Sequence, residues 1–167
     1  LDAFSELFQR IRIHASGRGN PNIHKLCSRA RAIGLETEVC TNVENALRDA
    51  DLVVTSVTLD YSIEPFLDAR RLKPTAFAAI TDACVPWMPH SMTAFKTVIV
   101  DDRAQELESD KPMLSYEQIN GDLTELVSQQ VDIGVCKRPA AFAFRGISLG
   151  DYAAATLAVR RAIEARV

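Results

Sequence analysis

Asp82 stands where an apolar run ends. The stretch AFAAITDACVPWMPHSM passes from five nearly featureless residues into Thr81 and Asp82, then Cys84, two prolines and Trp87, the only tryptophan in the chain. A carboxylate held at a buried strand end has its pKa raised by desolvation, toward the range where it can exchange protons near neutral pH. Two other strand-like runs end on polar tips: Ser16-Gly17-Arg18 after IRIHA, and Thr55-Ser56-Val57-Thr58 after DLVV. Each tip has an ordinary role open to it, since small hydroxyl residues satisfy turn backbone and Asp caps helices and turns. Three such tips along one sheet edge point instead to a ligand.

The other reactive side chains are dispersed. Cys27, Cys40, Cys84 and Cys136 form no C-x-x-C pair and have no histidine at ligand spacing. That argues against a metal site and reads as reduced, intracellular thiols. His14, His24 and His90 are scattered and read as surface or helix-end residues. Cys84 lies close to Asp82, but nothing in the sequence supplies it with a base, so it reads as structural.

The chain has 167 residues, 47% hydrophobic and 25% charged, with a net charge of -3. That composition suits one globular unit with a sizeable core. Mild acidity, with no more than two adjacent basic residues, gives no footprint for nucleic acid. No apolar run approaches the roughly 18–20 residues that a membrane span needs. The chain opens LDAFSELFQR, with Leu1, Phe4, Leu7 and Phe8 at helical spacing, as if it began inside a helix of a larger protein.

The elements that would position the tips alternate. IRIHAS reads as a strand, Pro21 starts a helix that Gly34 stops, and ETEVC is a short strand. Thr41 followed by Glu44 reads as a capping box for a short helix. DLVVTSVT is a buried strand, residues 64–71 form a helix or turn, and TAFAAI and TVIVDD are further strands. DLTELVSQQV is a short amphipathic helix. The last third then departs from alternation: an apolar lead, a break at Gly146 and a long Ala-rich helix capped by Ser148 and Asp151. Short apolar strands between helices predict an α/β fold, a parallel sheet covered on both faces that takes ligands beyond the carboxyl ends of its strands.

Five segments in this order resemble the ornithine cyclodeaminase/μ-crystallin family: ALRDADLVVTSVT, LKPTAFAAITDACVPWMP, VIVDDRAQ, GDLTELVSQQ and FRGISLGDYAAATLAVRRA. The resemblance implies a Rossmann-type, doubly wound parallel sheet holding NAD(H) or NADP(H). Residues 1–140 would be the dinucleotide-binding domain, lacking its first strand and glycine-rich turn. Residues 141–167 would return toward a substrate and dimerisation domain that is absent, so a homodimer is expected through that domain. By the same resemblance Asp82 falls on the catalytic aspartate, Thr55, Ser56, Val57 and Thr58 on a turn lining the cofactor, and Gly146 on the glycine nearest the nicotinamide. Two departures bear on the substrate. The family's Pro-Gly-Lys after the aspartate is replaced by Ala83-Cys84-Val85-Pro86-Trp87, and its Lys-Ser before the glycine by Ala143-Phe144-Arg145. Trp87 would either narrow the pocket or anchor the loop.

The implied chemistry is hydride transfer between NAD(P) and the α-carbon of a small amino or imino acid, through an iminium. A carboxylate about 4 Å from that cation gains roughly 4 kcal/mol at an effective dielectric near 20. The expected cofactor is NADP(H), with NAD(H) as the other option. The second strand of an NAD site usually ends in an acid, whereas HASGRGN offers Ser16 and Arg18 to a 2′-phosphate. The expected activity is a cytoplasmic cyclodeaminase, imine reductase or amino-acid dehydrogenase. The alternative is a crystallin-like binder of NADP(H) or ligand without turnover. A short-chain dehydrogenase is disfavoured by the lack of Tyr-x-x-x-Lys.

Overall fold

The computed structural model describes residues 12–17, 19–132 and 136–165, so the helix expected at residues 1–10, and Arg18, lie outside the described residues. The elements run β1 (Arg12–Ala15), α1 (Asn20–Ala32), β2 (Glu36–Val39), α2 (Val43–Arg48), β3 (Leu52–Thr55), β4 (Phe77–Ile80), β5 (Thr97–Val100), α3 (Arg103–Glu108), β6 (Gly121–Asp122), α4 (Leu123–Val127), β7 (Ala140–Ala143) and α5 (Ser148–Glu164). Pro21 sits in the first turn of α1, as expected. The helix stops at Gly34, whose φ of 83° only glycine adopts cheaply. There the N–H of Gly34 bonds Arg31 O at 3.0 Å and that of Leu35 bonds Ala30 O at 3.0 Å, the paired closure of a left-handed helix end.

Several local expectations shift. Asn42, not Thr41, caps α2: its side-chain oxygen accepts the Glu44 N–H at 2.8 Å, because the helix begins one residue later than the Thr-Glu spacing requires. Nor do Ser148 and Asp151 cap α5. Ile147 holds the cap position with no side-chain bond, and Ser148 is already helical. Residues 64–71 give only a 3-10 turn, Ala69–Arg71, whose cap Asp68 accepts the Arg70 N–H at 3.0 Å. The largest correction is β7, expected only as an apolar lead and found in the middle of the main sheet.

That sheet is wholly parallel, in the order β3-β4-β7-β5-β6. The register sets Thr55 opposite Ile80, Ile80 opposite Ala143, and Ala143 opposite Val100. Four strands therefore end level, and whatever follows each of them shares one edge. β1 and β2 form a separate parallel pair, and among the described residues no strand joins them to the larger sheet. This is an α/β, Rossmann-like arrangement, a parallel sheet with flanking helices. Its main core gathers Ile80, Trp87, Met92, Val98, Val100 and Ala141 among others, while Ala15, Ile23 and Cys27 make a small second cluster.

Not every face is covered. α5 is exposed along its described length, with Tyr152 and Ile163 among its surface residues. The close packing expected of its Ala-rich side is absent among the described residues. Leu52 and Val54, alternating with buried Val53 and Thr55, are exposed on edge strand β3. No described helix is long and apolar enough to cross a membrane.

Candidate functional site at the carboxyl edge of the sheet

The tips of β3 and β4 are laced together. Thr81 extends β4 by donating its N–H and its hydroxyl to Thr55 O, at 3.1 and 2.8 Å. Asp82 then turns its carboxylate toward the β3 tip. Its Oδ1 accepts the Thr55 hydroxyl at 3.1 Å and its Oδ2 accepts the Val57 N–H at 3.0 Å. Thr55 also accepts the Trp87 indole N–H at 3.3 Å, so its hydroxyl bridges indole and carboxylate. Asp82 is 3% exposed and Trp87 1%.

Burial raises the pKa of Asp82, and the bonds from Val57 and Thr55 offset part of that rise. The chain leaves Asp82 through a tight turn, with Ala83 and Cys84 both left-handed at φ 50° and 58°. Two consecutive non-glycine residues in that region persist only where the surroundings fix them. Those fixings are the Val85 N–H on Asp82 O at 3.1 Å, the Trp87 N–H on Cys84 O at 3.0 Å, and the N–H groups of Phe66 and Leu67 on Pro86 O at 2.8 Å. Trp87 also meets Phe95 edge-on, ring centres 5.7 Å apart. It is a core anchor for the loop. Burial and the nearby carboxylates push the Cys84 thiol far up, away from thiolate chemistry, in keeping with a structural role.

The expected residues fall into two groups. Thr55, Ser56, Val57, Thr58 and Asp82 come together at adjacent strand ends. Ser56 and Thr58 are exposed, while the hydroxyl of Thr55 and the N–H of Val57 are committed to Asp82. Ser16 is exposed beyond β1, on the separate strand pair, so the expected row of three tips is not formed within one sheet among the described residues.

Gly146 completes the row from the β7 side. It is left-handed, φ 114°, and a Cβ placed there would meet nothing within 4 Å. Its N–H and that of Arg145 donate to Asp101 Oδ2 at 2.7 and 3.0 Å. Asp101 follows β5 as Asp82 nearly follows β4, an acid after an apolar strand, and this signal was available in VIVDD without being assigned a role. Asp101 is 3% exposed, and among the described residues its Oδ1 has no partner. Asp101 borders a cavity of about 670 Å³ beyond β5, shared with Gln105, Thr124, Ser128 and Ile147. A second cavity, about 540 Å³, lies at Lys96 and Asn120 by the opposite ends of the strands. Asp82 lines neither. In open parallel sheets ligands bind at the carboxyl edge. The exposed residues Ser56 and Thr58 and the unobstructed Gly146 lie along that edge.

The chain is similar to known proteins in sequence and in fold. The sequence model of the ornithine cyclodeaminase/mu-crystallin family matches residues 1–165. The chain is 29% identical over 164 residues to the NAD(P)H-dependent anabolic L-arginine dehydrogenase DauB of Pseudomonas aeruginosa, covering 92% of this chain and 50% of that protein. It is 29% identical over 160 residues to the ketimine reductase mu-crystallin of Rattus norvegicus, covering 93% and 49%. Among solved structures, Thermococcus litoralis Δ1-pyrroline-2-carboxylate reductase in complex with NADH and L-proline superposes with a TM-score of 0.79 at 16% identity, covering 99% of this chain and 54% of that one. An archaeal alanine dehydrogenase dimer with bound NAD gives 0.77 at 16% identity, with the same coverage, 99% and 54%. The chain spans about half the length of these relatives.

Proposed function

The chain belongs to the ornithine cyclodeaminase/mu-crystallin family, and on that premise we propose that it is the dinucleotide-binding part of an NAD(P)H-dependent oxidoreductase acting on a small amino or imino acid. The observation that carries this reading is the level carboxyl edge, where the Thr55–Thr58 tip, Asp82 and Gly146 follow adjacent strands of one sheet. The bound nicotinamide would supply or accept the hydride. Ser56 and Thr58 would hold the dinucleotide by their hydroxyls, and Gly146 would leave room at its reactive end.

Asp82 would handle the proton of the substrate nitrogen. Burial holds it closer to neutral-pH exchange, and a cationic iminium would favour its charged form. Ser16, with Arg18, would favour NADP(H) through a 2′-phosphate, since no acid follows β1. Net imine reduction is preferred to cyclodeamination on that account, because cyclodeamination regenerates its own cofactor. The substrate domain and the dimer contact would lie outside this chain, with α5 leading toward them, and the wide spacing of the four cysteines supports a cytoplasmic site of action.

One observation favours a second reading. Both oxygens of Asp82 are engaged inside the fold and the residue is almost wholly buried. A tether of that kind suits a protein that binds dinucleotide without turning it over. The experiment mixes the protein as the cell makes it with NADPH or NADH and cyclic imino acids, and separately with oxidised cofactor and an open-chain diamino acid, following cofactor oxidation or reduction and released ammonia. NADPH consumed with no ammonia is the expected result. Ammonia without net cofactor loss would mean cyclodeamination, and saturable binding with neither would mean the tether.

A further inference from the structure

Arg145 is by type a group for a substrate carboxylate, but its guanidinium is committed inside the fold. Nε and Nη2 donate to Glu106 Oε2 at 3.0 and 2.7 Å, and Nη2 also donates to Lys111 O at 2.8 Å. The Glu106 side chain is 1% exposed and that of Arg145 16%. The other carboxylate oxygen of Glu106 accepts the N–H groups of Met113 and Leu114, which ties it to the following loop.

The same short segment, residues 101–106, also holds the backbone of the turn that Arg145 begins. Asp101 takes the N–H groups of Arg145 and Gly146. Gln105 donates its side-chain N–H to Gly146 O at 3.2 Å. Two consecutive residues are thus gripped at both N–H groups, one carbonyl and one side chain, all from around the start of α3. Glycine has no intrinsic preference for φ 114° over many other conformations, so its placement depends on such external bonds. A buried ion pair contributes little net stability, because desolving both charges offsets the Coulomb gain. Geometry is the better account of why one sits here.

We propose that Asp101, Gln105 and Glu106 form a clamp on Arg145 and Gly146 that sets the height of the Gly146 turn against the reactive end of the dinucleotide. The proposal rests on the functional reading above. Arg145 and Glu106 are positioning residues and touch neither substrate nor cofactor. The clamp also explains the departure at Arg145 from the family's Lys-Ser: this arginine is matched to Glu106.

The test compares the parent protein with Glu106→Gln and with the volume-conserving double variant Glu106→Leu, Arg145→Met, which keeps the core filled should the single variant fail to fold. Hydrogen exchange is read by mass spectrometry on the peptide covering residues 143–148, and kinetics with NADPH carrying deuterium at its transferable position. Exchange there is expected to quicken by about tenfold, while peptides of β4 and β5 stay protected. kcat is expected to fall by about tenfold with little change in KM for the imine, and the primary isotope effect to grow as hydride transfer becomes the slow step. Unchanged exchange in the folded double variant overturns the clamp. Faster exchange with parental kcat and isotope effect overturns its positioning role. If the parent neither binds nor oxidises NADPH, the functional reading fails separately, and the exchange result alone then decides whether the clamp exists.

Discussion

Thr55→Val removes one hydroxyl and exposes the logic of the β3–β4 junction. That hydroxyl donates to Asp82 Oδ1 at 3.1 Å and accepts the Trp87 indole N–H at 3.3 Å, among residues only 8%, 3% and 1% exposed. Valine fills the space but leaves the indole N–H without its acceptor and the carboxylate short of one donor. An unmet buried donor costs about 1–3 kcal/mol, so a loss of about 2 kcal/mol is expected near neutral pH. For a chain of this size that lowers Tm by about 4–8 °C. The loss should also depend on pH. The folded pKa of Asp82 is raised above 3.8, so its contribution to stability is full below 3.8 and is lost as pH rises through the folded value. Removing the Thr55 bond takes away a contact that favours the ionised form and moves the folded pKa higher still. The valine variant should therefore lose more stability near pH 8 than near pH 4. Urea unfolding of both proteins at the two pH values measures this directly. A difference under about 0.5 kcal/mol at both, or a greater loss in acid, would refute the reasoning.

Two further outcomes follow from the loop after Asp82. Cys84, buried with its thiol pushed far up, should resist iodoacetamide until the protein unfolds, while half-buried Cys136 is alkylated first; equal labelling rates by peptide mapping would contradict this. Ala83, held at φ 50°, should accept glycine with a gain of up to about 1 kcal/mol. The same position should reject valine with a loss of about 2 kcal/mol, read from urea midpoints, and the reverse order would show that the left-handed turn is wrong.

The parts of the site carried by local pattern were legible in the chain. An apolar run ending in Thr81 and Asp82 gave both a strand and the acid beyond it, because burial and strand termination are written into the same few residues. Gly34 and Pro21 marked the ends of α1 for equally local reasons. β7 was not legible: AAFA is four apolar residues, too short for periodicity to separate strand from loop, and its place between β4 and β5 is a tertiary fact. The Arg145–Glu106 pair was hidden for the same reason, since its partners are 39 positions apart. The caps of α2 and α5 moved by one residue, which is the usual scale of uncertainty at helix ends. Trp87 could be read two ways from sequence, and only its burial against Phe95 and Thr55 shows the anchor.

The central claim is that Asp82 serves catalysis and is not merely a tether. Its most direct test is Asp82→Asn in the protein as the cell makes it, with NADPH binding and single-turnover imine reduction measured side by side. With Asp82 in a catalytic role, NADPH affinity stays within about threefold of the parent and the reduction rate falls by about a hundredfold or more. Reduction at the parental rate in the folded variant would contradict it and leave Asp82 as the bond that holds β3 to β4.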